Sequence, residues 1–306
     1  MKLFEGRKRR WGDRYDGFLV RNLDPMGKMI PYIMKTRADS WVLFDQKLDV
    51  TAAMDFLRER RREDMKGLTM YELIFAALVR TISQVPQINR FVQNNKVYAR
   101  NEIKLAMVVK KDMSWDGDRT IITPRFDPDD TLMEVREKIQ QEISKITKKV
   151  SVEEDENKTG FDILETALAM VPGCLLRFVV SLIFVLDRHG ILPQFVNKLS
   201  PFHSTAFITN MGSLGMDAVS HHIYELGTVS VFGAIGNREI VYENHPNGSQ
   251  KKRVYLNVKF VIDERITDGY IYGLAMKELT MVLAHPERLL EKPEKVVEDV
   301  IDRKKA

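Results

Sequence analysis

The chain has 306 residues, 44% of them hydrophobic and 29% charged, which is enough to bury a full core with an ordinary globular balance. A net charge of +4 is too mild to call for nucleic acid as a partner. The single cysteine, Cys174, excludes an intramolecular disulfide and a cysteine-rich zinc site. It fits a reducing compartment, so a cytoplasmic location is the expectation.

Residues 1–27 are basic and aromatic, with Gly6, Gly12, Gly17 and Gly27 spaced through them. They read as an N-terminal arm ahead of one domain over 28–306. Arg7-Lys8-Arg9-Arg10 is followed by Trp11-Gly12-Asp13-Arg14 and not by an apolar core, so no secretory signal is expected. The run reads as a solvated arm; anionic lipid or coenzyme phosphates are the other partners its charge suits. Asp49-Val50-Thr51 opens a helix in which Ala53, Phe56 and Leu57 repeat at helical spacing. Its basic cluster, Arg58 to Arg62, sits toward the C-terminus, where the helix dipole favours cations. A second helix is expected over Thr69–Ser83, because Thr69 and Glu72 have capping-box spacing. Pro86 ends it.

Strand-like runs follow at Lys96–Ala99, Ile103–Val109 and Thr120–Phe126. Asp130–Lys148 is expected as a helix with Leu132, Val135, Ile139 and Ile143 as its apolar stripe. Val150–Thr159 reads as an acidic link. Phe161–Leu199 reads as two or three apolar helices broken at Pro172-Gly173 and Gly190. Its most lipid-like part, Cys174–Leu186, contains Arg177 and falls short of the about 20 residues a membrane span needs. A buried or interfacial helix is expected there. The pattern then becomes β, at Thr205–Thr209, Thr228–Ala234, Glu239–Tyr242 and Arg253–Ile262, with Asn247-Gly248 as a hairpin turn. A last helix is expected over Tyr272–Ala284.

Four segments, in order, resemble the catalytic domain of 2-oxo acid dehydrogenase acyltransferases and of chloramphenicol acetyltransferases. Ile30–Met34 through Asp49-Val50-Thr51 and Leu57-Arg58 resembles the opening strand and first helix. Pro86-Gln87-Ile88-Asn89 resembles the turn after the second helix. Phe207-Ile208-Thr209-Asn210-Met211-Gly212-Ser213-Leu214-Gly215 resembles the family's Thr-Ile-Ser-Asn-Leu-Gly strand and turn. Asp263-Glu264-Arg265-Ile266-Thr267-Asp268-Gly269 resembles its His-x-x-x-Asp-Gly loop, with Glu264 at the histidine position. The resemblance implies an α/β fold, a chloramphenicol acetyltransferase-like two-layer sandwich with a mixed β-sheet, here with an apolar helical insertion at about 161–199. It also implies a homotrimer with active sites between subunits and acyl-coenzyme A as co-substrate. No lipoyl domain or swinging-arm linker is visible in the sequence.

Acyl transfer from a thioester needs a base to take the acceptor's proton and a donor to hold the tetrahedral oxyanion. In the family those are a histidine and a hydroxyl; the resemblance places Thr209 at the hydroxyl. It also implies that Asp268 and Gly269 shape the loop, with Arg37 as the ion-pair partner of Asp268. A solvated glutamate is a poor base for a thiol or alcohol, and burial would raise its pKa. His222 is the alternative base: His221-His222, with Tyr224 and Glu225, falls where the family has a turn near the acyl channel. A metal site is not expected, because neighbouring histidines on a strand point apart. Gly212-Ser213-Leu214-Gly215 is neither a nucleophile elbow nor a phosphate loop.

The sequence thus reads as an acyltransferase-like protein moving an acyl group from a thioester to a hydroxyl, amine or thiol acceptor. The expected partners are an acyl thioester, carried on coenzyme A, lipoamide or a carrier protein, and a small-molecule acceptor, with no nucleic acid and no permanently bound cofactor. One alternative is an inactive binding or assembly protein on the same fold. Another is a peripheral-membrane enzyme acting on a lipid-like acceptor, with weak membrane-surface contact through 174–186 and the basic arm.

Overall fold

The computed structural model describes residues 3–110, 119–147, 166, 168–244 and 249–302. The expected acidic link over 150–159 and the Asn247-Gly248 turn lie outside the described residues.

Local signals set the helix ends. Asp24 caps α1 (Pro25–Ile33) by accepting from Gly27 N at 2.9 Å, and Pro25 takes the first helical position, where no donor is required. Ile30–Met34, expected as the opening strand, is therefore helical as far as Ile33. The opening strand is β2 (Trp41–Asp49), reached through a short helix, α2 (Arg37–Ser40), which Thr36 and Asp39 cap. Helices α3 (Thr51–Glu63) and α4 (Met70–Gln84) lie where the spacing put them. The capping box is reciprocal: Thr69 N donates to Glu72 Oε2 at 2.7 Å, and Glu72 N donates to Thr69 Oγ1 at 3.1 Å. The 130–148 pattern gives α5 (Leu132–Thr147). The insertion contributes α6 (Gly173–Arg188) and α7 (Gln194–Leu199), and the last helix is α8 (Gly269–Ala284).

Two sheets organise the described strands. The smaller is antiparallel in the order β1 (Gly17–Leu19), β4 (Lys96–Arg100), β3 (Arg90–Gln93). Part of the expected arm is therefore built into the body: Arg14, Asp16, Phe18 and Val20 are buried. The larger sheet runs β2, β10 (Gln250–Asp263), β9 (Val231–Asn244), β8 (Ala206–Asn210), β5 (Ile103–Lys110), β6 (Arg119–Ile122), and β7 (Arg125–Phe126) also pairs with β5. It is mixed, because β8 is parallel to both β5 and β9. The runs 228–234 and 239–242 were expected as separate strands, but the second and most of the first belong to β9. The Gly236-Asn237 break is absorbed as a β-bulge opposite Asn257.

Side chains alternate across the large sheet. Ile103, Leu105, Met107, Ala206 and Ile208 join the main core with residues of α3, α4, α5 and α8. Ala106, Phe207, Phe232 and Val261 point the other way and are covered by Ile223 and Val229 of the segment leading into β9. The result is a layer of helices on one face of a mixed sheet, with the 216–230 segment on the other.

Candidate active site

Thr209, the last residue but one of β8, is half-buried, with its hydroxyl 3.9 Å from Met211 Sδ. The turn after it is fixed by Asn210, whose side-chain carbonyl accepts from Ser213 N at 3.2 Å. Gly212 is required here: a Cβ would lie 2.4 Å from Gly236 O.

The Glu264 loop is built differently. Asp263, fully buried, binds Arg265 in two-pronged fashion, Nε to Oδ1 and Nη2 to Oδ2, each at 2.8 Å. Arg265 also donates to Met34 O at 3.1 Å, Ser40 Oγ donates to Asp263 Oδ1 at 3.1 Å, and Tyr272 OH donates to Asp263 O at 3.0 Å. These bonds clamp the residues on both sides of Glu264 and leave its side chain exposed in a short turn of 3₁₀ helix. Asp268 caps α8, accepting from Ile271 N at 3.0 Å. Gly269 is its first residue, and nothing lies within 4 Å of where a Cβ would sit, so a single copy of the chain does not demand glycine there.

Arg37 does not form the expected ion pair with Asp268 among the described contacts. It is buried, and its guanidinium donates to Glu225 O at 2.7 Å and Gly227 O at 2.6 Å. Its backbone N donates to Glu225 Oε1 at 2.6 Å. The physical reason is that the capping role of Asp268 turns it toward α8, while Arg37 faces the chain leading into β9. Arg37 thus steadies the segment that follows His222. That histidine is exposed, with its ring 6.3 Å from Trp41 and 5.3 Å from Tyr224. His221 instead stacks on Phe232 at 4.3 Å, and burial pushes its imidazole below the ordinary value. No group of metal-binding side chains gathers among the described residues.

Strand register decides which of these residues can meet. Trp41 is opposite Asp263, so His222 shares the sheet end of Glu264. Thr209 pairs with Ala234, and Ala234 with Lys259, five positions before Glu264. Within one chain Thr209 and Glu264 are therefore about 16 Å apart along the strands and about 10 Å across them.

Sequence reasoning missed a second buried cluster, centred on Asp187 at the foot of α6. Its carboxylate accepts from Gln93 Nε2 at 2.8 Å and Gly227 N at 3.2 Å, meets His203 Nε2 at 3.1 Å, and lies 3.6 Å from Arg14. Ser200 Oγ is 2.9 Å from His203 Nδ1. Burial alone would push Asp187 up, but His203, Arg14 and Arg37 together hold it below its ordinary value. For His203 burial wins over Asp187, and the imidazole lies below the usual 6.5. Below about pH 6.5 the unfolded chain then takes up a proton that the folded chain resists, so stability present above that pH is lost as pH falls. Asp187 adds a further loss as pH falls below about 3.8. We expect a lower urea midpoint at about pH 5 than at about pH 7.5, and a smaller difference in His203→Gln. An equal midpoint at both values would refute this account. The signal available in sequence was an acid closing an apolar helix, Asp187 after Leu186, a position that otherwise reads as a solvated helix end.

The architecture matches known acyltransferase cores. A probable dihydrolipoamide acetyltransferase from Listeria monocytogenes 4b F2365 superposes with a TM-score of 0.52 at 13% identity, over 95% of this chain and 98% of that one. The cubic core of a pyruvate dehydrogenase multienzyme complex gives 0.54 at 12% identity, over 94% and 95%. A chloramphenicol acetyltransferase gives 0.51 at 10% identity, over 86% and 97%. No protein-family model and no curated protein matches the chain. At these identities the likeness is one of fold: the protein has the chloramphenicol acetyltransferase-like fold shared by these cores.

Proposed function

We propose that the protein is an acyltransferase whose reaction centre is completed between copies of the chain, Thr209 of one facing Glu264 of the next. The observation that carries this reading is the separation of those residues within one chain, about 16 Å along the strands and about 10 Å across them, on the fold of known acetyltransferases. The surface around Glu264 supports it. Tyr32, Ile33, Leu43 and Tyr270 are exposed there, more apolar area than a solvated loop needs and suited to burial against a second copy. A closed threefold ring is the arrangement we favour, and coenzyme A the thioester carrier.

In the reaction the base takes the proton of an acceptor thiol, hydroxyl or amine, and the acceptor attacks the thioester carbonyl. The Thr209 hydroxyl donates to the resulting oxyanion. Collapse breaks the carbon–sulfur bond, and the protonated base returns its proton to the departing thiolate. Covering Glu264 with a second copy would strip it of water, the condition under which a carboxylate becomes a usable base. No described ion pair closes Glu264 off, which speaks against a purely structural role. His222 is the rival base, exposed at the same sheet end.

The test is thiol release from a panel of acyl-coenzyme A donors with varied acceptors. Glu264→Gln and His222→Gln separate the candidates: the true base should cost about 10²- to 10⁴-fold in turnover. Absence of both thiol release and donor binding would remove the reading.

A further inference from the structure

Helix α6 and the residues after it present an apolar surface that this chain leaves open. Among 16 helical residues, Asp187 alone is buried. Leu175, Phe178, Leu182 and Val185 form an exposed stripe, and Phe178 is 64% exposed. Leu176, Val179, Ile183 and Leu186 line the next stripe and are only half-buried. Ile191 and Phe195, each 65% exposed, extend the surface past the helix end. A third stripe is mixed: Arg177, Ser181 and Arg188 fall on one side of the helix at i, i+4 and i+11, with the exposed Phe184 between them at i+7.

We infer that this face docks on an anionic lipid surface, with α6 lying in the headgroup plane. Charge selects that occupant. Between Thr166 and Ser200 the sequence holds one acid, Asp187, and the fold buries it. The cations there, Arg177, Arg188 and Lys198, are exposed. Arg9 of the N-terminal segment shares a cleft of about 320 Å³ with Lys198 and Arg125, where Asp16 and Glu102 also sit, each paired with an arginine. Lys8 is exposed next to Arg9, and Trp11, two residues on, is 99% exposed. An apolar helix face flanked by exposed arginines suits the boundary between acyl chains and headgroups. Twofold self-pairing of the face suits it less, since it would set Arg177, Arg188 and Lys198 against cations. The helix is about 24 Å long, short of a full crossing, and no described helix is long and apolar enough to span a membrane.

This docking does not depend on acyl transfer, and flotation with vesicles tests it without measuring turnover. The full chain should float with phosphatidylcholine vesicles containing phosphatidylserine at low salt, and far less with phosphatidylcholine alone. An environment-sensitive dye on Cys174, the one cysteine and an exposed one in the first turn of α6, should shift to the blue as vesicles are added. Phe178→Glu with Leu182→Glu should weaken flotation by about tenfold or more, and Arg188→Gln by about fivefold. Circular dichroism and the melting midpoint should stay as in the parent, because these side chains are exposed. No flotation with the anionic vesicles at low salt would overturn the inference. A dye shift that grows with protein concentration and ignores vesicles would also overturn it, assigning the face to a second copy.

Discussion

Chains carrying Thr209→Val and chains carrying Glu264→Gln are expected to be nearly inactive alone and to regain activity when assembled together. Removing an oxyanion donor costs about 10²- to 10³-fold, and removing a general base about 10²- to 10⁴-fold. If each centre takes Thr209 from one copy and Glu264 from the next, random mixing of equal amounts rebuilds about a quarter of the centres across heterologous contacts. The strand register is the reason to expect this, since Thr209 lies beside Ala234 while Glu264 follows the last residue of β10. The measurement is thiol release by the separately purified variants and by the co-expressed mixture. Activity that stays at the level of the singles would place both groups in one chain or take them out of the chemistry. If His222 replaces Glu264 as the base, the same experiment with His222→Gln should complement instead.

Asp187→Ala is expected to be the most destabilising single change at the foot of α6. It would leave the neighbouring Arg14 without one of its carboxylate partners, and His203, Gln93 Nε2 and Gly227 N without their acceptor. Removing one member of such a buried cluster costs about 3–5 kcal/mol, or about 5–8 °C in melting temperature for a chain of this size. Asp187→Asn, which keeps an acceptor oxygen, should cost less. The effect should also be local: amide exchange in α6 should accelerate more than in α4, because α6 has no other fully buried side chain. A melting temperature within about 2 °C of the parent would show that the cluster contributes little.

Much of the fold was legible because local chemistry and tertiary packing agree. Thr69 and Glu72 announce α4 and cap it, and the stripe from Leu132 to Ile139 is buried as its spacing requires. Strand β2 was missed for a reason that is equally physical. It is an edge strand with Trp41, Val42 and Leu43 all partly exposed, so it lacks the alternation that marks a half-buried strand. The apolar run from Ile30 to Met34 looked more like a strand, yet Asp24 and Pro25 start a helix through it. At the candidate site the motif residues could be located, but Asp263 and Arg265 could not be weighed. Two charged residues after an apolar strand read as solvent-facing, and only the fold shows them neutralising each other in the interior. Nor can one sequence say whether Thr209 and Glu264 meet, because that depends on strand register and on a second copy.

The clamp around Glu264 has a consequence for how such a loop can change over generations. Its structural duties fall on Asp263, Arg265, Ser40 and Tyr272, and among the described residues the exposed side chain between them forms no hydrogen bond or ion pair that holds the turn. Replacement at that one position therefore leaves the turn standing, whatever it does to reactivity. A lineage could trade one proton-accepting group for another there, or give up the reaction, by a single step that selection for folding would not oppose.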